Sequence, residues 1–164
     1  MTSDDLTFGL AIVGYALLAA DFALEHRGRP HRGVGWATLA VVSAHVVCVW
    51  ALRFDWSLQR MLDKSLAGFL LFHGALLLIV AARLAEGTRR RAITSAAFVL
   101  VTAGAVPAPL RYPQLSLLTL PVFAIASIAI ALAFTAHVAR RRSNGRATGT
   151  AGADGSAPRA SRRP

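Results

Sequence analysis

The sequence predicts an all-α membrane protein, a polytopic chain with five transmembrane helices in a compact antiparallel bundle and a disordered basic C-terminal tail. Three observations support this fold class. Apolar residues make up 55% of the 164 residues, and the mean hydropathy is +0.51. They form five stretches near the length of about 20 residues that crosses a bilayer. The basic residues fall between these stretches in an alternating pattern.

The predicted spans follow one another through short connectors. They cover residues 6–24, 34–53, 66–85, 92–108 and 115–138. The first span follows the acidic segment MTSDD, and because a cleaved signal peptide begins with basic residues, we expect this span to be retained. The segment FDWSLQRMLDKS is predicted to be a loop between the second and third spans. Short connectors make sequential helices antiparallel neighbours, so residues 1–142 are predicted to form one bundle.

The basic residues indicate how the chain is oriented. The net charge is +10, and all but four of the 18 Lys and Arg residues follow the first, third or fifth span. The other four are Arg53, Arg60, Lys64 and Arg111. Because cytoplasmic loops are enriched in basic residues, the N-terminus is predicted outside and the C-terminus in the cytoplasm of a plasma or inner membrane. This placement explains the high positive charge without a nucleic-acid partner, and we expect none.

The last segment, residues 143–164, differs in composition from the rest of the chain. It is rich in Gly, Ala, Ser and Arg and contains no large apolar residue. Such a segment cannot bury a core, so we expect a disordered cytoplasmic tail. Its arginines either enforce the topology or attract anionic lipids.

Two histidines lie inside neighbouring apolar stretches, His45 in the second span and His73 in the third. His45 comes eight residues before Arg53, and His73 comes eight residues after Ser65. At about 1.5 Å rise per helical residue, each imidazole lies about 12 Å from the same predicted membrane face. Imidazole is a common metal ligand and an axial ligand of haem iron. The pair is therefore a candidate ligand set for one b-type haem or one metal ion.

Cationic side chains in the outer loop support a haem site. Arg53, Arg60 and Lys64 are predicted at the face nearest the histidines, where they can pair with haem propionates. Helical side chains lean toward the helix N-terminus, which directs Arg53 toward His45. The same lean moves the His45 ring inward and the His73 ring outward, so it separates the two rings in depth.

Other interpretations of the two histidines remain open. Each imidazole can hydrogen-bond across helices to a hydroxyl or carbonyl group and stabilise packing by about 0.6 kcal/mol. The pair can instead handle protons or substrate, with Asp21 of the first span as a proton relay, because intramembrane carboxylates serve such relays. A simpler role for Asp21 is an ion pair with Arg83 at the end of the third span.

The function predicted from these residues is membrane electron transfer by a bis-histidine haem protein that takes electrons from membrane quinol. The alternatives are a non-enzymatic accessory or assembly subunit of a membrane complex and a small proton-coupled carrier. The expected partners are the lipid bilayer and either a quinone or another membrane subunit. The sequence contains no Gly-rich phosphate loop, nucleophile elbow or zinc-protease signature, so nucleotide-dependent and hydrolytic functions lack support. Whether the chain is an enzyme stays open.

Overall fold

The computed structural model describes residues 3–105 and 123–139, and within these ranges all regular structure is helical, as predicted. The helices are α1 (Ser3–His26), α2 (Arg32–Arg53), α3 (Leu58–Leu84), α4 (Gly87–Ala105) and α5 (Phe123–Ala139). Three of them, α1, α2 and α3, are long and apolar enough to cross a membrane. The parts of the fourth and fifth predicted spans within 106–122, and the predicted tail, lie outside the described residues.

The predicted loop FDWSLQRMLDKS is mostly helical, so that prediction was wrong. Ser57 caps the start of α3, because its Oγ accepts a hydrogen bond from the backbone N–H of Arg60 at 3.3 Å. The helix breaks at Ser65, whose φ of −172° and ψ of 99° are extended. The Oγ of Ser65 accepts from the N–H of Gly68 at 3.0 Å and so caps the apolar segment that follows. The polar composition resembles a loop, but the two serines start two successive helical segments.

The turn between α2 and α3 is tight. Asp55 and Trp56 both adopt positive φ, at 47° and 59°. Aspartate tolerates this conformation, whereas a bulky tryptophan rarely adopts it. The backbone N–H of Trp56 donates to the carbonyl of Trp50 at 3.0 Å, and Ser57 donates to Phe54 at 2.8 Å. These bonds hold the turn against the end of α2.

The apolar core lies between α1 and α4, with contributions from α3 and α5. The rings of Phe22 and Phe98 stack with centroids 4.6 Å apart, and Tyr15 stacks on Phe98 at 5.8 Å. Helix α5 contributes the small buried residues Ala126, Ala129 and Ala133. Small side chains let helix backbones approach closely, so α5 packs on the core through its alanine face.

Candidate functional site

One cavity, called here the histidine cavity, is lined by residues of α1, α2, α3 and α4 and includes both predicted histidines. Its volume is about 360 Å³, which is within the range of small-molecule sites. His45, His73, Arg53 and Lys64 are among its lining residues. The aromatic lining residues are Phe8, Tyr15, Trp50, Phe54, Phe69 and Phe72. The structure thus brings the two histidines and Arg53 to one mostly apolar site.

His45 lies half-buried on α2, and its Nδ1 is 2.9 Å from the carbonyl oxygen of Thr7 on α1. Because a carbonyl oxygen only accepts hydrogen bonds, we assign the ring proton to Nδ1, which leaves the lone pair on Nε2. Metal-binding histidines typically donate their second ring N–H in this way, since the bond fixes the tautomer and the ring orientation.

His73 has the same tautomer for the same reason. Its Nδ1 lies 2.9 Å from the carbonyl oxygen of Phe69, one turn earlier on α3. Its Nε2 accepts a hydrogen bond from the indole N–H of Trp50 at 3.1 Å. The indole meets the imidazole edge to face, with centroids 5.9 Å apart. A ligand at Nε2 of His73 therefore requires Trp50 to give up this hydrogen bond.

The cationic residues predicted for this site have different positions. The guanidinium carbon of Arg53 lies 5.2 Å from the centroid of the Phe8 ring, a cation–π geometry, and both residues line the cavity. Arg60 does not line it, and instead pairs with Asp55 at the surface, where both side chains are more than half exposed. Lys64, one helical turn after Arg60, does line the cavity, as predicted for the cationic group.

Asp21 lies outside the cavity lining, in what we call the ion network: Asp21, Glu25, Arg83 and Arg90. Asp21 is fully buried, and its carboxylate accepts a hydrogen bond from Arg83 at 2.5 Å. Arg90 reaches Glu25 at 2.6 Å and approaches Asp21 at 3.8 Å. The ion pair between Asp21 and Arg83 predicted from the sequence is therefore present, and the predicted relay residue sits away from both histidines.

Two residues of the cavity carry roles that the sequence reasoning missed. Trp50 appears in the sequence as one of several aromatic residues at a span end, a pattern that predicts an interfacial belt. In the structure it donates a hydrogen bond to His73. The carbonyl of Thr7 orients His45. Neither contact leaves a local sequence signal, because each joins residues of two different helices.

The two histidines are the imidazole ligands that the described part of the chain offers at this cavity, and Met61 and Tyr15 also line it. Over residues 3–105 and 123–139, no group of three or more His, Cys, Asp or Glu side chains stands together to hold a metal ion. A zinc ion bound by protein usually takes about three or four protein ligands. Haem differs because the porphyrin supplies the equatorial ligands and the protein only the axial ones. The donor set therefore fits haem better than a bare ion.

Comparison of the chain with protein-family models, with curated proteins and with solved structures gives no match. The function is therefore inferred from the geometry of the histidine cavity and its surroundings.

Proposed function

We propose that the protein is a five-span integral membrane protein that binds one b-type haem between His45 and His73 and transfers electrons. One observation carries the proposal. Two imidazoles from neighbouring helices line one apolar cavity, and each has its Nδ1 committed to a backbone carbonyl. The same nitrogen, Nε2, would therefore hold the iron on both rings, once the indole N–H of Trp50 releases Nε2 of His73.

The membrane location is supported by the surface of the helices. Leu70, Leu77, Val99 and Phe134 each expose at least 60% of their area. Soluble proteins rarely expose large apolar patches, whereas a lipid-facing helix requires them. Contacts along α1 and α2 run in opposite order, with Thr7 at His45 and Gly14 at Val42, which supports an antiparallel pair. The positive loops favour an orientation with the N-terminus outside.

A bound haem would supply one-electron chemistry, and the chain would supply position and environment. The carbonyls of Thr7 and Phe69 hold the two ring orientations. The mostly apolar lining would lower the polarity around a bound haem and so influence its reduction potential. Arg53 and Lys64 provide positive charge for carboxylate groups of the cofactor. The electron donor that we propose is a quinol, because a lipid-soluble carrier reaches a site inside the bilayer.

The test is a reduced-minus-oxidised visible spectrum of the full chain, purified in mild detergent after expression with added haem. We expect sharp haem bands in the wild type and loss of the bis-histidine spectrum in His45→Ala and in His73→Ala. His26→Ala is the matched control, because His26 also bonds a carbonyl one turn earlier, that of Phe22, but lies outside the cavity lining. A colourless wild type with normal helical circular dichroism would overturn the haem proposal.

A second candidate is an accessory subunit of a membrane complex. The exposed apolar side chains of α3 and α5, such as Leu77 and Phe134, suit a neighbouring transmembrane helix as well as lipid. A colourless protein that purifies with a second membrane protein would support this function. The proton-coupled carrier is less well supported, because Asp21 would first have to leave its ion pair with Arg83.

A further inference from the structure

A second cavity lies at the opposite end of the helices from the histidine cavity and shares no lining residue with it. This arginine cleft has a volume of about 680 Å³ and lies between the α1–α2 turn and the α3–α4 turn. Its charged lining residues are Glu25, Arg32, Arg83, Glu86, Arg90 and Arg91. Arginine thus outnumbers the acidic residues in the lining.

Some arginines of the cleft form ion pairs within the described residues and others do not. Arg83 and Arg90 are ion-paired with Asp21 and Glu25. Arg91 donates from Nε to the carbonyl oxygen of Glu25 at 3.1 Å, a neutral partner, and among the described residues no carboxylate forms an ion pair with it. Arg32 is exposed and forms no ion pair with any residue that the structure describes. Within the described residues, Arg32 and Arg91 are therefore left to meet an anion, and the Glu86 carboxylate of the same lining offsets part of their positive charge.

The cleft is also apolar on one part of its wall. Trp36 lines it with 57% of its area exposed, and Leu84 lines it with 82% exposed. Tryptophan is enriched where lipid headgroups meet acyl chains. A free anion would gain nothing from these two side chains, whereas a phospholipid presents a phosphate beside apolar chains. The lining therefore favours a lipid over a soluble phosphate.

We propose that the arginine cleft binds the headgroup of an anionic phospholipid, with Arg32 and Arg91 at its phosphate and Trp36 and Leu84 beside its acyl chains. Arginine presents a fork of donors that matches phosphate oxygens. The cleft lies at the end of the bundle that carries the basic turns, where anionic lipids of the cytoplasmic leaflet are within reach. This inference rests on the membrane location and orientation in the proposed function and is independent of haem.

The experiment measures lipid binding to the full chain in neutral detergent by native mass spectrometry. The probes are dihexanoyl phosphatidylglycerol, dihexanoyl phosphatidylcholine and inorganic phosphate. We expect preferential binding of one phosphatidylglycerol, weakened about fivefold by Arg32→Gln, which corresponds to the roughly 1 kcal/mol that a basic residue contributes near an anionic surface. Glu86→Gln should strengthen binding, because it removes a repelling carboxylate from the lining.

The matched control is Arg29→Gln, which changes the net charge equally at an exposed position three residues earlier but lies outside the cleft lining. An equal loss of binding in Arg29→Gln and Arg32→Gln would overturn the proposal, because it would indicate diffuse surface charge. Inorganic phosphate that binds as well as phosphatidylglycerol would also overturn it. Haem spectra of the same samples distinguish a failed lipid site from a failed haem site.

Discussion

The two ends of the helical bundle pair their polar side chains in different ways. At one end, Asp21 and Glu25 pair with Arg83 and Arg90, so the charged groups of the ion network compensate one another. At the other end, His45 and His73 bond to backbone carbonyls beside a cavity of about 360 Å³. Charged side chains that pair with one another stabilise the fold. Polar side chains that line a cavity can also bind a ligand.

The chemistry of the side chains explains the difference. A carboxylate offers only acceptors and a guanidinium only donors, so a pair of them can satisfy both partners. A neutral imidazole carries one donor and one acceptor. Once a carbonyl takes the donor, the acceptor needs a separate partner. His73 has Trp50 in that position, and we expect a ligand to compete with the indole for it.

The largest expected effect comes from breaking the ion network. Arg83→Met leaves the fully buried Asp21 without its closest partner, so we expect the free energy of unfolding to fall by about 3–5 kcal/mol. His45→Ala at the other end should cost about 1 kcal/mol, because it removes a single bond to a carbonyl. Unfolding in mixed micelles with increasing dodecyl sulfate measures both.

The control for that prediction is the double variant Asp21→Asn with Arg83→Met. It removes both charges together, so most of the lost stability should return. If the double variant were as unstable as Arg83→Met, the ion pair would not be the source of the loss, and the contrast between the two ends would fail.

A pair of glycine substitutions should change stability in opposite directions. A Cβ at Gly35 would overlap the guanidinium of Arg83, which is held by Asp21, so Gly35→Ala should destabilise by about 2 kcal/mol. Gly9 lies in α1 toward the cavity end and has no heavy atom within 4 Å of an added Cβ. Gly9→Ala should therefore stabilise by about 0.5–1 kcal/mol through helix propensity. The same unfolding assay compares them, and equal effects would contradict the predicted close packing at Gly35.

Trp50→Phe tests whether the indole of Trp50 competes with haem for Nε2 of His73. The variant removes the donor to Nε2 of His73, so stability should fall by about 1 kcal/mol. In this variant haem no longer competes with the indole for Nε2 of His73. The affinity of the protein for haem should therefore rise about fivefold, the equivalent of one net hydrogen bond. Haem titration followed by absorbance measures the affinity. Weaker haem binding in Trp50→Phe would indicate that Trp50 supports the site instead of competing for it.

The smallest effect is expected at Arg60. Its ion pair with Asp55 is exposed, so Arg60→Gln should change the free energy of unfolding by at most about 0.5 kcal/mol. It should also leave haem affinity unchanged, because Arg60 does not line the cavity. Arg53→Gln is the matched comparison and should weaken haem binding. Equal losses of haem affinity in both variants would show that Arg60 contributes to haem binding, as the sequence alone predicts.

Some residue pairs could be predicted from the sequence, because counting residues along each helix gives their distance from a membrane face. A carboxylate in an apolar stretch needs a cation at its own level, and counting residues already pairs Asp21 with Arg83. The same counting places His45 and His73 at similar distances from one membrane face. The helical segment at Leu58–Lys64 could not be predicted in this way, because its polar composition resembles a loop and the capping by Ser57 and Ser65 overrides it.

By itself, the sequence determined the helical class and the apolar segments of the three long helices, because hydrophobicity and length are local properties of the chain. Only the tertiary structure decided which polar atoms meet: Thr7 at His45 and Trp50 at His73. These contacts depend on helix rotation, and one residue along a helix turns the side-chain direction by about 100°. Packing between helices sets that rotation, so residue spacing within one helix does not contain it.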